Sequence, residues 1–132
     1  DEVEGFLYKK SGLLGISGLS SDMRDLEASD APGARLAVDY FAYRIVRETG
    51  SLAAALGGLD ALVFTAGIGE NSAHVREKVC GGLSWLGIEL DGEANSRNDL
   101  VISTVRSRVR VYAIPTDEEL VIAIETTNMI SA

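Results

Sequence analysis

The chain has 132 residues, 46% apolar and 24% charged, which fits one folded domain with a sizeable core rather than a disordered segment. Twenty acidic residues against twelve basic ones leave a net charge of −8, a surface that repels phosphate backbones and anionic lipid, so neither nucleic acid nor membrane is an expected partner. No apolar run approaches the roughly 20 residues that span a bilayer, and the single cysteine, Cys80, excludes an internal disulfide. The expected compartment is the cytoplasm.

The chain opens on Asp1 rather than Met, with no signal peptide. Residues 2–10 already read as the middle of a helix, because Val3, Phe6, Leu7 and Lys10 share one face. The chain therefore reads as part of a longer polypeptide. Ser11-Gly12 is a stop signal for that helix. Residues 13–21, rich in Gly and Ser, read as a structured loop. Ser21 or Asp22 is placed to cap a short helix through Glu27, and residues 29–33 hold Asp30, Pro32 and Gly33 as a turn.

Residues 34–56 carry the clearest helical period, with Val38, Phe41, Ile45, Leu52 and Leu56 on one stripe, and Gly57-Gly58 ends it. The unbroken apolar run Ala61-Leu62-Val63-Phe64 predicts a parallel strand covered on both faces. Gly67-Ile68-Gly69 closes that strand, and residues 70–83 read as the next helix. Short strands are expected at residues 88–90 and 101–103, with a short helix over 91–97 between them. A strand is expected at 109–114, where Val109, Val111 and Ala113 alternate. Pro115 ends it, and the final helix runs over 116–130, with Thr116 and Glu119 arranged as a capping box. Alternating strands and helices give an α/β class with a mixed or parallel sheet.

The local feature that points to chemistry is strand, Gly67-Ile68-Gly69, helix. In open α/β sheets ligands gather at the carboxyl ends of strands, where glycine lets backbone approach a phosphate or ribose. By itself the pattern is also that of a plain tight turn. The chain lacks GxxxxGK[ST], and Ser72 stands where a dinucleotide fingerprint has its third glycine.

Residues 64–72 read FTAGIGENS, residues 8–26 read YKKSGLLGISGLSSDMRDL, and residues 114–123 read IPTDEELVIA. All three blocks, in order and at close to the same spacing, resemble those of acetate kinases, and together they span nearly the whole chain. The resemblance implies a ribonuclease-H-like domain of the actin, sugar-kinase and heat-shock chaperone superfamily, with a mixed sheet flanked by helices. It makes residues 1–132 a single domain, the C-terminal ATP-binding part of such an enzyme.

It further implies binding of ATP or ADP with Mg²⁺ and reversible phosphoryl transfer to acetate, giving acetyl phosphate and ADP. On that resemblance Asp22, Met23 and Arg24 lie along the nucleotide, and Arg24 is the catalytic candidate, its planar fork suited to phosphate oxygens. Gly67, Ile68, Gly69, Glu70 and Asn71 form the adenosine loop, with Ile68 an apolar wall for the base and Asn71 a source of amide hydrogen bonds. Glu70 stands either near the ribose or as a favourable anion in a helix's first turn. Glu118 is the magnesium-associated glutamate. Read without the resemblance, Asp22 is a helix cap, Arg24 or Asp25 a member of a surface ion pair, and Glu118 compensates a helix dipole, while Glu119 belongs to the capping box. His74 reads as a solvated helical residue, and Cys80 and Trp85 as packing.

The family's acyl-binding arginines and its catalytic histidine match nothing in this chain, so the chain alone is expected to lack kinase activity. Propionate kinase is an alternative, as is a non-catalytic nucleotide-binding or dimerisation module. The expected partners are ATP, acetate and a second copy of the chain in a homodimer.

Overall fold

The structure, a computed structural model, describes residues 2–130; the side chains of Glu2, Glu118, Val121 and Glu125 lie outside that description. Helix α1 (Glu2–Lys9) is followed by α2 (Gly12–Ser17), α3 (Met23–Glu27) and the long α4 (Pro32–Leu56). Strand β1 (Ala61–Phe64) leads into α5 (Ala66–Asn71) and α6 (Ala73–Gly82). A 3-10 turn (Ser84–Leu86), α7 (Gly92–Ser96), β2 (Arg110–Ala113) and α8 (Glu118–Ile130) complete the order. None of these helices is long and apolar enough to cross a membrane.

Helix α4 begins with Pro32, whose fixed φ suits a first helical position, and ends where Gly57 turns left-handed at φ 75°. It packs against α2, α3 and α6. Its inward residues are mostly small: Ala34, Ala37, Val38, Ala42 and Ala53 are buried. The stripe expected from the sequence is only partly the buried one, since Phe41 and Ile45 sit at the core's margin while Leu52 and Leu56 are exposed. Alanines let neighbouring helices approach closely, and that approach rather than side-chain bulk decides which face turns inward.

Residues 13–21 are not the expected loop. Six residues from Gly12 form α2, closed by Gly18 at φ 66°, and Leu13 and Ile16 pack against the core. The tightest approach is to the first turn of α4, where a Cβ on Gly33 would stand 2.5 Å from the Ser17 carbonyl oxygen. Gly33→Ala is therefore expected to cost about 1–3 kcal/mol, the usual range for overpacking. Urea unfolding measures it, and an unchanged midpoint would refute the close approach.

Strands β1 and β2 pair in parallel, with Ala61 opposite Arg110 and Phe64 opposite Ala113. The segments expected as short strands are reduced to two antiparallel bridges, Leu90 to Ser103 and Val101 to Tyr112. Along β2 the alternation holds, because Val109, Val111 and Ala113 are buried. Strand β1 departs from expectation: Phe64 is buried, but Val63 is 49% exposed, so only one face of the strand is covered. Leu26, Val75, Val79, Cys80, Leu83 and Ile102 fill the centre of the core. Burial raises the Cys80 thiol to about 12, so it packs as a small hydrophobe. His74 is exposed, as expected. Trp85 is 63% exposed rather than buried, its ring edge lying over Gly50, where an added Cβ would meet Cζ2 at 3.6 Å.

Candidate functional site

The carboxyl end of β1 feeds into a backbone reversal. Ala66 adopts a left-handed conformation at φ 59°, and the chain turns at once into α5. The glycines expected as a turn are thus the body of a short helix that already begins at Ala66. The single helix expected over 70–83 is interrupted at Ser72, whose backbone is extended and whose side chain accepts a bond from Val75 N–H to start α6. A Cβ on Gly69 would sit 3.3 Å from the Phe64 carbonyl carbon, so glycine there is what lets α5 lie against the strand it follows.

Helix α3 is brought beside this segment. Asp22 caps it, its Oδ1 accepting from Arg24 N–H at 2.9 Å, and the same oxygen accepts from Arg24 Nε at 3.0 Å. Arg24 Nη2 donates to Asp22 Oδ2 as well. These bonds hold the Asp22 carboxyl at about 2, well below the usual carboxylate range, and push the Arg24 guanidinium further up. Arg24 is 87% exposed, so its fork is steered by Asp22 while its outer edge faces solvent. A depressed carboxyl contributes stability above its unfolded value and loses it as pH falls through the folded one. The cap is therefore expected to be fully present above pH 3.8 and to fail toward pH 2. A carbon-detected titration of the Asp22 carboxyl checks this; a midpoint near 3.8 would refute the bidentate pair.

A single cleft of about 730 Å³ is lined by Asp22, Met23 and Arg24 from one side and Gly67, Ile68 and Asn71 from the other. That size lies within the range of small-molecule sites. Ile68 is half-buried and packs on the core, so its position in the wall is fixed. Met23, the first residue of α3, is buried. The Asn71 amide donates to Gly67 O at 2.8 Å, which uses one of its donors inside the turn. Ser21, Glu27 and Ser72 also line the cleft and are not among the ligand-binding residues expected from the sequence. The Ser72 hydroxyl donates to the Glu27 carboxylate, tying α3 to the α5–α6 junction. Their signal was adjacency: Ser72 ends the FTAGIGENS block and Glu27 follows DMRDL.

Glu70 does not stand in a first turn. It is the fifth residue of α5, and its Oε1 accepts from both the backbone N–H and the hydroxyl of Thr116, at 2.8 and 2.7 Å. Those two bonds hold its carboxyl below the usual range. Thr116 therefore does not form the capping box with Glu119. Asp117 caps α8 instead, accepting from Leu120 N–H at 2.8 Å. A second recess, lined by Gly67, Glu70, Asp117 and Glu119 among others, opens beside the first and shares Gly67 with it. The Glu118 side chain lies outside the described residues. Among the described residues no cluster of three or more His, Cys, Asp or Glu is placed to hold a metal ion by itself. The oxygen-rich recess nevertheless has the donor chemistry of a hard cation that takes one or two carboxylates and completes its shell with phosphate and water.

A profile described as the Acetokinase family matches residues 1–124. The chain belongs to that family. Among curated acetokinase-family proteins, the chain is 59% identical over 125 residues to the acetate kinase of Methylocella silvestris, covering 95% of this chain and 31% of that protein. It is 58% identical to the acetate kinase of Rickettsia akari over 94% of this chain and 32% of that one. The chain thus spans about a third of the length of these relatives. Porphyromonas gingivalis acetate kinase superposes with a TM-score of 0.86 at 42% identity, over 97% of this chain and 34% of that one. A propionate kinase from Francisella tularensis gives 0.84 at 39%, over 92% and 32%. These acetokinase-family neighbours carry the ribonuclease-H-like fold of the actin and sugar-kinase superfamily, which is the fold of this chain.

Proposed function

We propose that this chain is the C-terminal nucleotide-binding part of an acetate kinase, transferring phosphate reversibly between ATP and acetate. The observation that carries the reading is the cleft itself. The Asp22–Arg24 and Gly67–Asn71 segments, far apart in sequence, wall one cavity of nucleotide size, in a chain of the acetokinase family.

In this reading the base lies against Ile68, the backbone at Gly67 admits the ribose, and Arg24 meets the polyphosphate. Acetate's own carboxylate oxygen attacks the γ-phosphorus while the bond to the ADP oxygen breaks, so the protein need supply no nucleophile; positioning and charge neutralisation remain. Arg24 contributes a permanent, planar cation to that neutralisation. Glu118, with Asp117 beside it, is assigned to hold Mg²⁺. When bound, the ion supplies electrostatic stabilisation of the phosphate oxygens.

The reading predicts saturable one-to-one binding of MgADP by the 132-residue chain in calorimetry, weakened when Mg²⁺ is removed. Absence of saturable heat with ADP, with or without Mg²⁺, would overturn it. It also predicts no turnover in a coupled ADP-release assay, because the acyl-binding part belongs to the remaining two-thirds of the relatives' length; robust turnover would overturn that expectation. The Francisella propionate kinase neighbour keeps propionate as a second acceptor, to be distinguished by assaying the longer enzyme with both acids. Self-association as a homodimer and a cytoplasmic location complete the proposal. Sedimentation of the chain tests the former; a monomer at all concentrations would count against it.

A further inference from the structure

Arg76 is the largest fully buried side chain of the described residues, and it sits behind the wall of the cleft rather than in it. Complete burial of a cation is costly unless every donor is paired. Its five N–H donors are directed at fixed oxygens. Nε donates to Asn95 Oδ1 at 2.7 Å, and Nη2 donates to Asn95 O at 2.8 Å and to Asn98 Oδ1. Nη1 donates to Gly69 O at 2.9 Å and to Glu70 O at 2.8 Å. Every acceptor is a neutral oxygen, and among the described residues Arg76 forms no ion pair with a carboxylate. Burial lowers its pKa from the usual arginine range, but the group stays charged at neutral pH.

The carbonyls it reaches are those that α5 leaves without helical partners at its carboxyl end. Three of these carbonyls, and Gly67 O one turn back, have partners in the structure. Gly67 O accepts from the Asn71 amide and Ile68 O from Ser72 N–H, while Gly69 O and Glu70 O both depend on Arg76 Nη1. One guanidinium thus fixes the inner side of the segment whose outer side lines the cleft. Its other donors anchor that segment to α7 through Asn95, which in turn donates to Ala73 O at 2.9 Å. Lysine has the charge but not the planar fork needed to reach both ends at once.

We propose that Arg76 is a positioning residue for nucleotide binding: it sets the conformation in which the Gly67–Asn71 segment meets the ligand, without touching the ligand. The proposal rests on the nucleotide reading of the cleft. Calorimetry with MgADP on the full 132-residue chain tests it, comparing wild type with Arg76→Lys and with Asn98→Gly. The second variant removes one acceptor of the fork yet keeps the left-handed backbone that Asn98 already adopts at φ 55°. A core control, Ile102→Val, loosens packing away from the cleft.

The expected result is a Kd raised roughly tenfold in Arg76→Lys and about threefold in Asn98→Gly, with stoichiometry near one. Amide exchange should be accelerated at Gly69–Ser72 in both variants, whereas Ile102→Val keeps the wild-type Kd. A purely structural role gives a different pattern, in which stoichiometry falls with the folded fraction and Kd stays unchanged; that result overturns the proposal while leaving the nucleotide reading intact. Should Arg76→Lys fail to fold, Asn98→Gly decides alone, and an unaltered Kd and exchange pattern there overturns the proposal. If wild type shows no MgADP binding, the reading beneath it fails and the proposal falls with it.

Discussion

Arg24→Ala is expected to weaken MgADP binding by roughly 10- to 100-fold while leaving the unfolding midpoint close to that of the wild type. The affinity estimate follows from losing hydrogen bonds between a charged donor and a charged acceptor, worth about 1.5–3 kcal/mol, at 1.4 kcal/mol per factor of ten. The small stability effect follows from exposure: the Asp22–Arg24 pair is open to solvent, and such pairs contribute little. Arg24→Lys separates charge from shape, since a lysine keeps the cation and loses the fork; it should recover only part of the affinity. Asp22→Asn is informative for the same reason. Asparagine still caps a helix but releases the Arg24 side chain, so binding should fall while α3 persists. Calorimetry gives Kd and urea unfolding gives stability. Equal affinity for wild type and Arg24→Ala would remove Arg24 from the site.

Leu83→Ala has the opposite signature. Leu83 closes α6 and has no exposed surface, in a core where α6 packs against α4. Truncating such a leucine removes its transfer free energy and leaves a cavity, together about 2–5 kcal/mol. That is a large share of the roughly 5–15 kcal/mol that holds a domain together, with an expected fall in Tm of roughly 10 °C. Leu83→Met conserves volume and should cost less than about 1.5 kcal/mol. Nucleotide affinity of the folded fraction should be unchanged in both. If Leu83→Ala unfolds at the wild-type midpoint, the packing of α6 on α4 is not as described.

What could be read from the sequence was what local chemistry decides. Asp22 marked the cap of α3, where its side chain accepts from a backbone N–H; Asp91 caps α7 in the same way, in a segment expected only as a short helix. Gly57 marked the end of α4 and the alternation through Val111 marked β2, whereas Pro32, read as part of a turn, is the first residue of α4. The FTAGIGENS and DMRDL strings directed attention to the two segments that line one cleft. What could not be read depends on contacts between distant segments. Glu70 meets Thr116 across 46 positions, and no local rule distinguishes that partner from solvent, so Asp117 rather than Thr116 takes the cap of α8. Helix α2 was hidden because three glycines in seven residues read as loop, although two of them sit at its ends in left-handed conformations. Arg76 was overlooked for the same kind of reason. Within the polar stretch His74–Lys78 it looks like one more solvated charge, and only the convergence of α5 and α7 on it shows otherwise.

The placement of Trp85 has an optical corollary. It is the sole tryptophan, its indole is mostly in water in the native protein, and it does not line the Asp22–Asn71 cleft. Its emission is therefore already red-shifted before denaturation and insensitive to what occupies that cleft. Ligand titrations of this chain must take their signal from heat or from a labelled nucleotide, and intrinsic fluorescence should stay flat while either of those saturates.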